Sequence, residues 1–157
     1  MKIAIASDLH LEFGDIDLPN LHGADVLILG GDIMVAQDLR LNAVTQPDHE
    51  PTNARKSARK AQRYRDFLQR CSDQFEHVIY VAGNHEFYHG NFHSSLDYLR
   101  EEIGRYPNVS FLENDFRIID DVLSSTNGRN SQYGKVCKQV RHDDAPLVYS
   151  FGSLLRL

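Results

Sequence analysis

Residues 77–88 read HVIYVAGNHEFY. Val78 to Ala82 is a short run of β-branched and aromatic residues, the pattern of a strand buried on both faces. Gly83 ends it, and an amide, an imidazole and a carboxylate follow without a gap in Asn84, His85 and Glu86. Two earlier runs share the design. KIAIAS (residues 2–7) leads into Asp8-Leu9-His10, and DVLILGG (residues 25–31) leads into Asp32. The paired glycines Gly30 and Gly31 allow a tight turn there. Parallel strands carry their C-terminal ends to one edge of a sheet, where α/β proteins bind ligands. Asp8, His10, Asp32 and Asn84 are therefore expected to converge. In an extended segment residues two apart share a side, so Asp8 and His10 should point together while Leu9 turns to the core.

The segments between these runs fit an α/β order. A helix is predicted over residues 51–74, capped by Thr52 or Asn53, with Ala54, Ala58, Ala61, Tyr64 and Leu68 near helical spacing. It carries Arg55, Lys56, Arg59, Lys60, Arg63, Arg65 and Arg70, which read as a solvated face rather than a phosphate contact. A second helix is predicted over 94–106, capped by Ser94 or Ser95, with Leu96, Leu99 and Ile103 as its apolar stripe. NVSFLE and FRIID then give two more strand-like runs around the turn at Asn114 and Asp115. Alternating strands and helices predict a largely parallel sheet. Residues 34–50 show no clear period. Beyond Val122 the periodicity is lost, so residues 1–122 read as the folded domain and 123–157 as an irregular or poorly ordered tail.

At 157 residues the chain suits one domain, and 41% hydrophobic with 25% charged residues is an ordinary globular balance. A net charge of -5 argues against a protein that coats nucleic acid, leaving nucleic acid only as a substrate. It permits a phosphate ester, because bound cations supply local positive charge. Cys71 and Cys137 fit no metal spacing and read as free thiols of a reducing compartment. No apolar run approaches the ~20 residues of a membrane helix. A cytoplasmic protein without a membrane partner is expected.

Carboxylate, imidazole and amide donors at Asp8, His10, Asp32 and Asn84 suit two divalent ions of the Mn, Fe or Zn kind. A carboxylate such as Asp32 can bridge such a pair, the arrangement of phosphate-cleaving sites. Taken in order, SDLH, GGD and GNHE resemble the first three signature blocks of the calcineurin-like metallophosphoesterase superfamily. The resemblance implies a two-sheet sandwich flanked by helices, and hydrolysis of phosphomono- or phosphodiesters by a metal-activated water. It implies that Asp8 and His10 bind one ion, that Asp32 bridges both, and that Asn84 binds the other. His85 would help the leaving group depart, and Glu86 would orient that imidazole. The family's downstream Gly-His and Gly-His-x-His blocks are absent. The chain thus reads as the N-terminal half of such a sandwich, apparently truncated or shifted in frame after Val122. Two rivals follow: a catalytically impaired remnant that binds metal weakly or serves as an interaction module, and a structural α/β domain with coincidentally polar strand tips.

Overall fold

Four short apolar runs form one parallel sheet in the order β1 (Ile3–Ala6), β2 (Val26–Leu29), β3 (His77–Val81) and β4 (Val109–Leu112). The structure, a computed structural model, describes residues 1–40, 52–120, 122–126, 136–140 and 147–150, with backbone alone for 52–55 and beyond 120. Parallel neighbours need a crossover. Helix α1 (Thr52–Gln74) supplies it between β2 and β3, and α2 (Phe92–Ile103) between β3 and β4.

Strand alternation divides the core in two. Leu27, Leu29, Val78 and Tyr80 face a cluster with Tyr64, Phe67, Leu68 and Cys71 of α1 and Leu99 and Ile103 of α2. Val26, Ile28, Ile79 and Val81 face the other way, against Leu112 and Ile119. Both faces are covered, which is why β2 and β3 read as unbroken apolar runs. At about 25 cal/mol per Å², each of these side chains contributes roughly 1.5–3 kcal/mol by leaving water.

The second face is where the other sheet begins. β5 (Phe116–Ile119), β6 (Val122–Thr126), β7 (Val136–Val140) and β8 (Leu147–Ser150) pair antiparallel in that order, and Ile119 packs onto the first sheet. The architecture is mixed α/β with two four-stranded sheets, as the resemblance implies. The stretch predicted to be irregular, 123–157, therefore contains three strands, and β6 crosses the boundary drawn at Val122. VLSST and VCKQV escape a search for apolar runs because antiparallel strands do not need two apolar faces. Residues 127–135, 141–146 and 151–157 lie outside the described residues.

One helix start differs from expectation. α2 starts at Phe92, and Asn91 caps it by accepting from the Ser94 N–H at 2.9 Å, while Ser95 is buried. The Asn91 side-chain carbonyl does the capping expected of Ser94 or Ser95, three residues before Ser94. Pro51 and the side chains of Thr52 and Asn53 lie outside the described residues. Within the stretch read as aperiodic, Ala36–Arg40 makes a 3₁₀ turn that buries Ala36 and Leu39; 41–50 lie outside the described residues.

Candidate functional site

The ladder between β1 and β2 does not stop at the strand ends. Gly30 N–H donates to Ala6 O at 2.8 Å, Asp8 N–H to Gly31 O at 3.0 Å, His10 N–H to Asp32 O at 3.0 Å and Leu11 N–H to Ile33 O at 2.9 Å. Inside this paired loop, Asp8 (φ 57°), His10 (φ 48°) and Asp32 (φ 55°) all take the left-handed conformation. Asp and His adopt it more readily than most residues, but three together store strain of about 1–3 kcal/mol each, which persists only where surroundings enforce it. The outcome is that Asp8, His10 and Asp32 each offer a ligand atom within 4.8 Å of the others. Convergence thus arises from left-handed turns after Ala6, not from the extended alternation predicted for residues 8–10. Leu9 does pack against the core.

The loop after β3 closes on the same place. Gly31 (φ +97°) sits so near that a Cβ there would lie 2.7 Å from Gly83 N. His85 N–H donates to Asp32 Oδ1 at 2.9 Å, which leaves Asp32 a second oxygen. Asn84 starts a 3₁₀ turn over His85–Phe87 and donates its side-chain N–H to Tyr88 Oη at 3.0 Å, so its amide oxygen is the atom it can offer a ligand. The Tyr88 ring lies 4.2 Å from the His85 ring.

Glu86 is not placed to orient His85. It is fully buried, and its two oxygens accept from Gly83 N–H (2.7 Å), Ile33 N–H (2.8 Å), Tyr80 O–H (2.8 Å), Asp32 N–H (3.1 Å) and Met34 N–H (3.4 Å). The side chain points back under the loop because those five donors lie there, and it ties the β2 and β3 loops together. Burial pushes its carboxyl above the usual range, against the donors from Ile33, Tyr80 and Gly83. The carboxylate at the imidazole is instead Glu12, whose Oε1 lies 2.8 Å from His85 Nδ1. Burial raises the Glu12 carboxyl too, but its own backbone amide, His85 and His10 more than offset that and hold it below the usual range. Sequence reasoning passed over Glu12. The available signal was its place two residues after His10, between Leu11 and Phe13.

The basic residues of α1 are not simply solvated. Arg63 donates to Leu11 O at 2.7 Å and pairs with Asp15; Arg70 donates to Ile16 O at 3.1 Å; Arg65 donates to Leu39 O at 3.0 Å and pairs with Glu102. Arg63 and Arg70 thus tie α1 to the loop after β1, and Arg65 ties it to Leu39 and to Glu102 of α2.

A family model described as calcineurin-like phosphoesterase matches residues 1–151. The chain belongs to that family. No curated protein and no solved structure matches it. Members are metal-dependent phosphoesterases, and the donors here fit divalent cations: two carboxylates and an imidazole gathered within 4.8 Å, enforced by strained backbone. The match takes in β6, β7 and β8 with the first sheet. Among the described residues, no helix is long and apolar enough to cross a membrane.

Proposed function

We propose that this phosphoesterase cleaves phosphomono- or phosphodiesters in the cytoplasm with two divalent cations, drawn from Mn, Fe and Zn. In this reading Asp8 and His10 would hold one ion, Asp32 would serve both, and Asn84 would offer its amide oxygen to the other. When bound, such ions supply Lewis-acid neutralisation of phosphoryl charge and a water acidic enough to ionise near neutral pH. The chain's own part is positioning. Asp32 is fixed by the His85 amide, and Asn84 by Tyr88. His85 has Nδ1 committed to Glu12, so Nε2 remains to pass a proton to the leaving oxygen, a contribution of about 10²–10⁴-fold. The observation that supports this most is the gathering of Asp8, His10 and Asp32 in left-handed backbone at parallel strand ends.

The test is turnover of p-nitrophenyl phosphate and its bis ester with Mn²⁺, beside Asp32→Ala and His85→Ala. Mn²⁺-dependent turnover lost in both variants supports the reading. The absence of Gly-His and Gly-His-x-His from the sequence favours a second reading, a weak metal binder without turnover. Metal uptake by calorimetry with no product in either assay would select it.

A further inference from the structure

One carboxylate oxygen touches both histidines of the site. Glu12 Oε1 lies 2.8 Å from His85 Nδ1 and 3.3 Å from His10 Nδ1. The two rings meet edge to face, with centroids 4.2 Å apart and planes at 75°. The Glu12 side chain is only 6% exposed, and its Oε2 is buried with no hydrogen-bond partner. A buried unpaired polar atom costs about 1–3 kcal/mol, which packing alone does not repay. The turn that carries Glu12 is held from three sides: Leu11 N–H on Ile33 O, Arg63 on Leu11 O, and Phe13 N–H on His10 O.

We propose that Glu12 is a positioning residue that sets the tautomer and ring orientation of His10 and His85 together. This inference rests on the function proposed above for its catalytic meaning, and on geometry alone for its structural content. An ionised carboxylate only accepts, so each Nδ1 must be the N–H donor. Nε2 is then the nitrogen each ring has left: on His10 to bind a cation beside Asp8 and Asp32, on His85 to face the ester. Outer carboxylates of this kind fix a ligating histidine's tautomer and raise its basicity. Sharing a single oxygen goes further, because a shift of Glu12 turns the metal-holding ring and the proton-carrying ring at once.

His10, Glu12 and His85 also lie close enough to hold an ion themselves, each offering an atom within 4.8 Å. Because Glu12 Oε1 lies against Nδ1 of both rings, an ion held beside that oxygen would draw on those Nδ1 atoms, the opposite assignment. Nitrogen-15 imidazole spectra separate the two. In the metal-free wild type, both rings are expected to show Nδ1–H and unprotonated Nε2 in the neutral form. Zn²⁺ added alone should then shift Nε2 of His10. Glu12→Ala should remove the Nδ1–H preference of both rings and weaken Zn²⁺ affinity about 10–100-fold, the usual loss for an outer-shell partner. Glu12→Gln, nearly isosteric, keeps one acceptor oxygen and should hold the His85 tautomer better than that of His10. Nε2–H tautomers in the wild type would overturn the proposal even if neither variant folds. So would Zn²⁺ shifts on Nδ1 of both rings, or unchanged tautomers and affinity in folded Glu12→Ala. If these signatures hold but no ester is turned over, the positioning role stands and the proposed function fails.

Discussion

Removing the Glu86 carboxylate should cost the fold more than any other single truncation at the site. Five donors end on it, and those from Ile33, Met34 and Tyr80 belong to residues that are fully buried. In Glu86→Ala these three lose their acceptor in the dry interior, at about 1–3 kcal/mol each. The donors from Gly83 and Asp32 sit in partly buried surroundings, where water entering the vacated space can serve them. Discounting for that water and for the long Met34 bond, we expect a loss of about 3–5 kcal/mol, a large share of the 5–15 kcal/mol typical of a domain. Glu86→Gln keeps one acceptor oxygen but turns an NH₂ toward donors, so about 1.5–3 kcal/mol should go with the charge-assisted bonds. Urea unfolding followed by circular dichroism gives both values from midpoint and slope. The order Ala worse than Gln, both worse than wild type, is required. Glu86→Gln within 0.5 kcal/mol of wild type (a margin of about the scatter of an ordinary surface change) would refute the view that this carboxylate anchors the loops.

Gly31→Ala should destabilise by more than about 2 kcal/mol, because a left-handed φ already costs an L-residue roughly 1–2 kcal/mol and the new Cβ meets Gly83 backbone; a thermal melt reads it. Arg63→Ala should loosen the turn bearing Glu12, seen as faster amide exchange at residues 11–13, since Leu11 O loses its donor. Cys71 is buried and its thiol is pushed from 9.0 to about 12, first by burial, with Asp17 adding and Arg70 opposing. Because that folded value lies above the unfolded one, its contribution to stability is full below pH 9 and declines as pH rises toward 12. Native alkylation at pH 8, mapped by peptide mass, should leave Cys71 unmodified, and labelling at the rate of a free thiol would contradict the buried placement.

The first sheet was legible because β2 and β3 are buried on both faces, and continuous apolarity survives in a one-dimensional reading. The second sheet was not. Its strands are short and mixed in polarity, and their pairing partners lie up to 18 residues apart, as Val122 with Val140. The gathering of Asp8, His10 and Asp32 was legible by residue type and by position after each strand. Their geometry was not, because a left-handed φ at Asp8, His10 and Asp32 has no signature like that of glycine. Glu86 was misplaced for a related reason: adjacency to His85 in sequence suggested contact, but a 3₁₀ turn sends the two side chains in different directions.

That divergence of neighbouring side chains also explains how the strain is sustained. Three left-handed residues at about 1–3 kcal/mol each amount to a load that would unwind an isolated loop. The donors converging on Glu86 include the amides of Asp32, Ile33 and Gly83, so the loop after β2 cannot relax without breaking bonds to the loop after β3. The His85 amide on Asp32 Oδ1 closes the same connection from the other side. Loop strain and the buried carboxylate are therefore two ends of one balance. It follows that the Glu86 variants should lose divalent-cation affinity through backbone relaxation at Asp32, although Glu86 itself touches no ligand atom. Calorimetric titration of folded Glu86→Gln with Mn²⁺ checks this, and wild-type affinity in that variant would show that the strained turns hold their shape without the anchor.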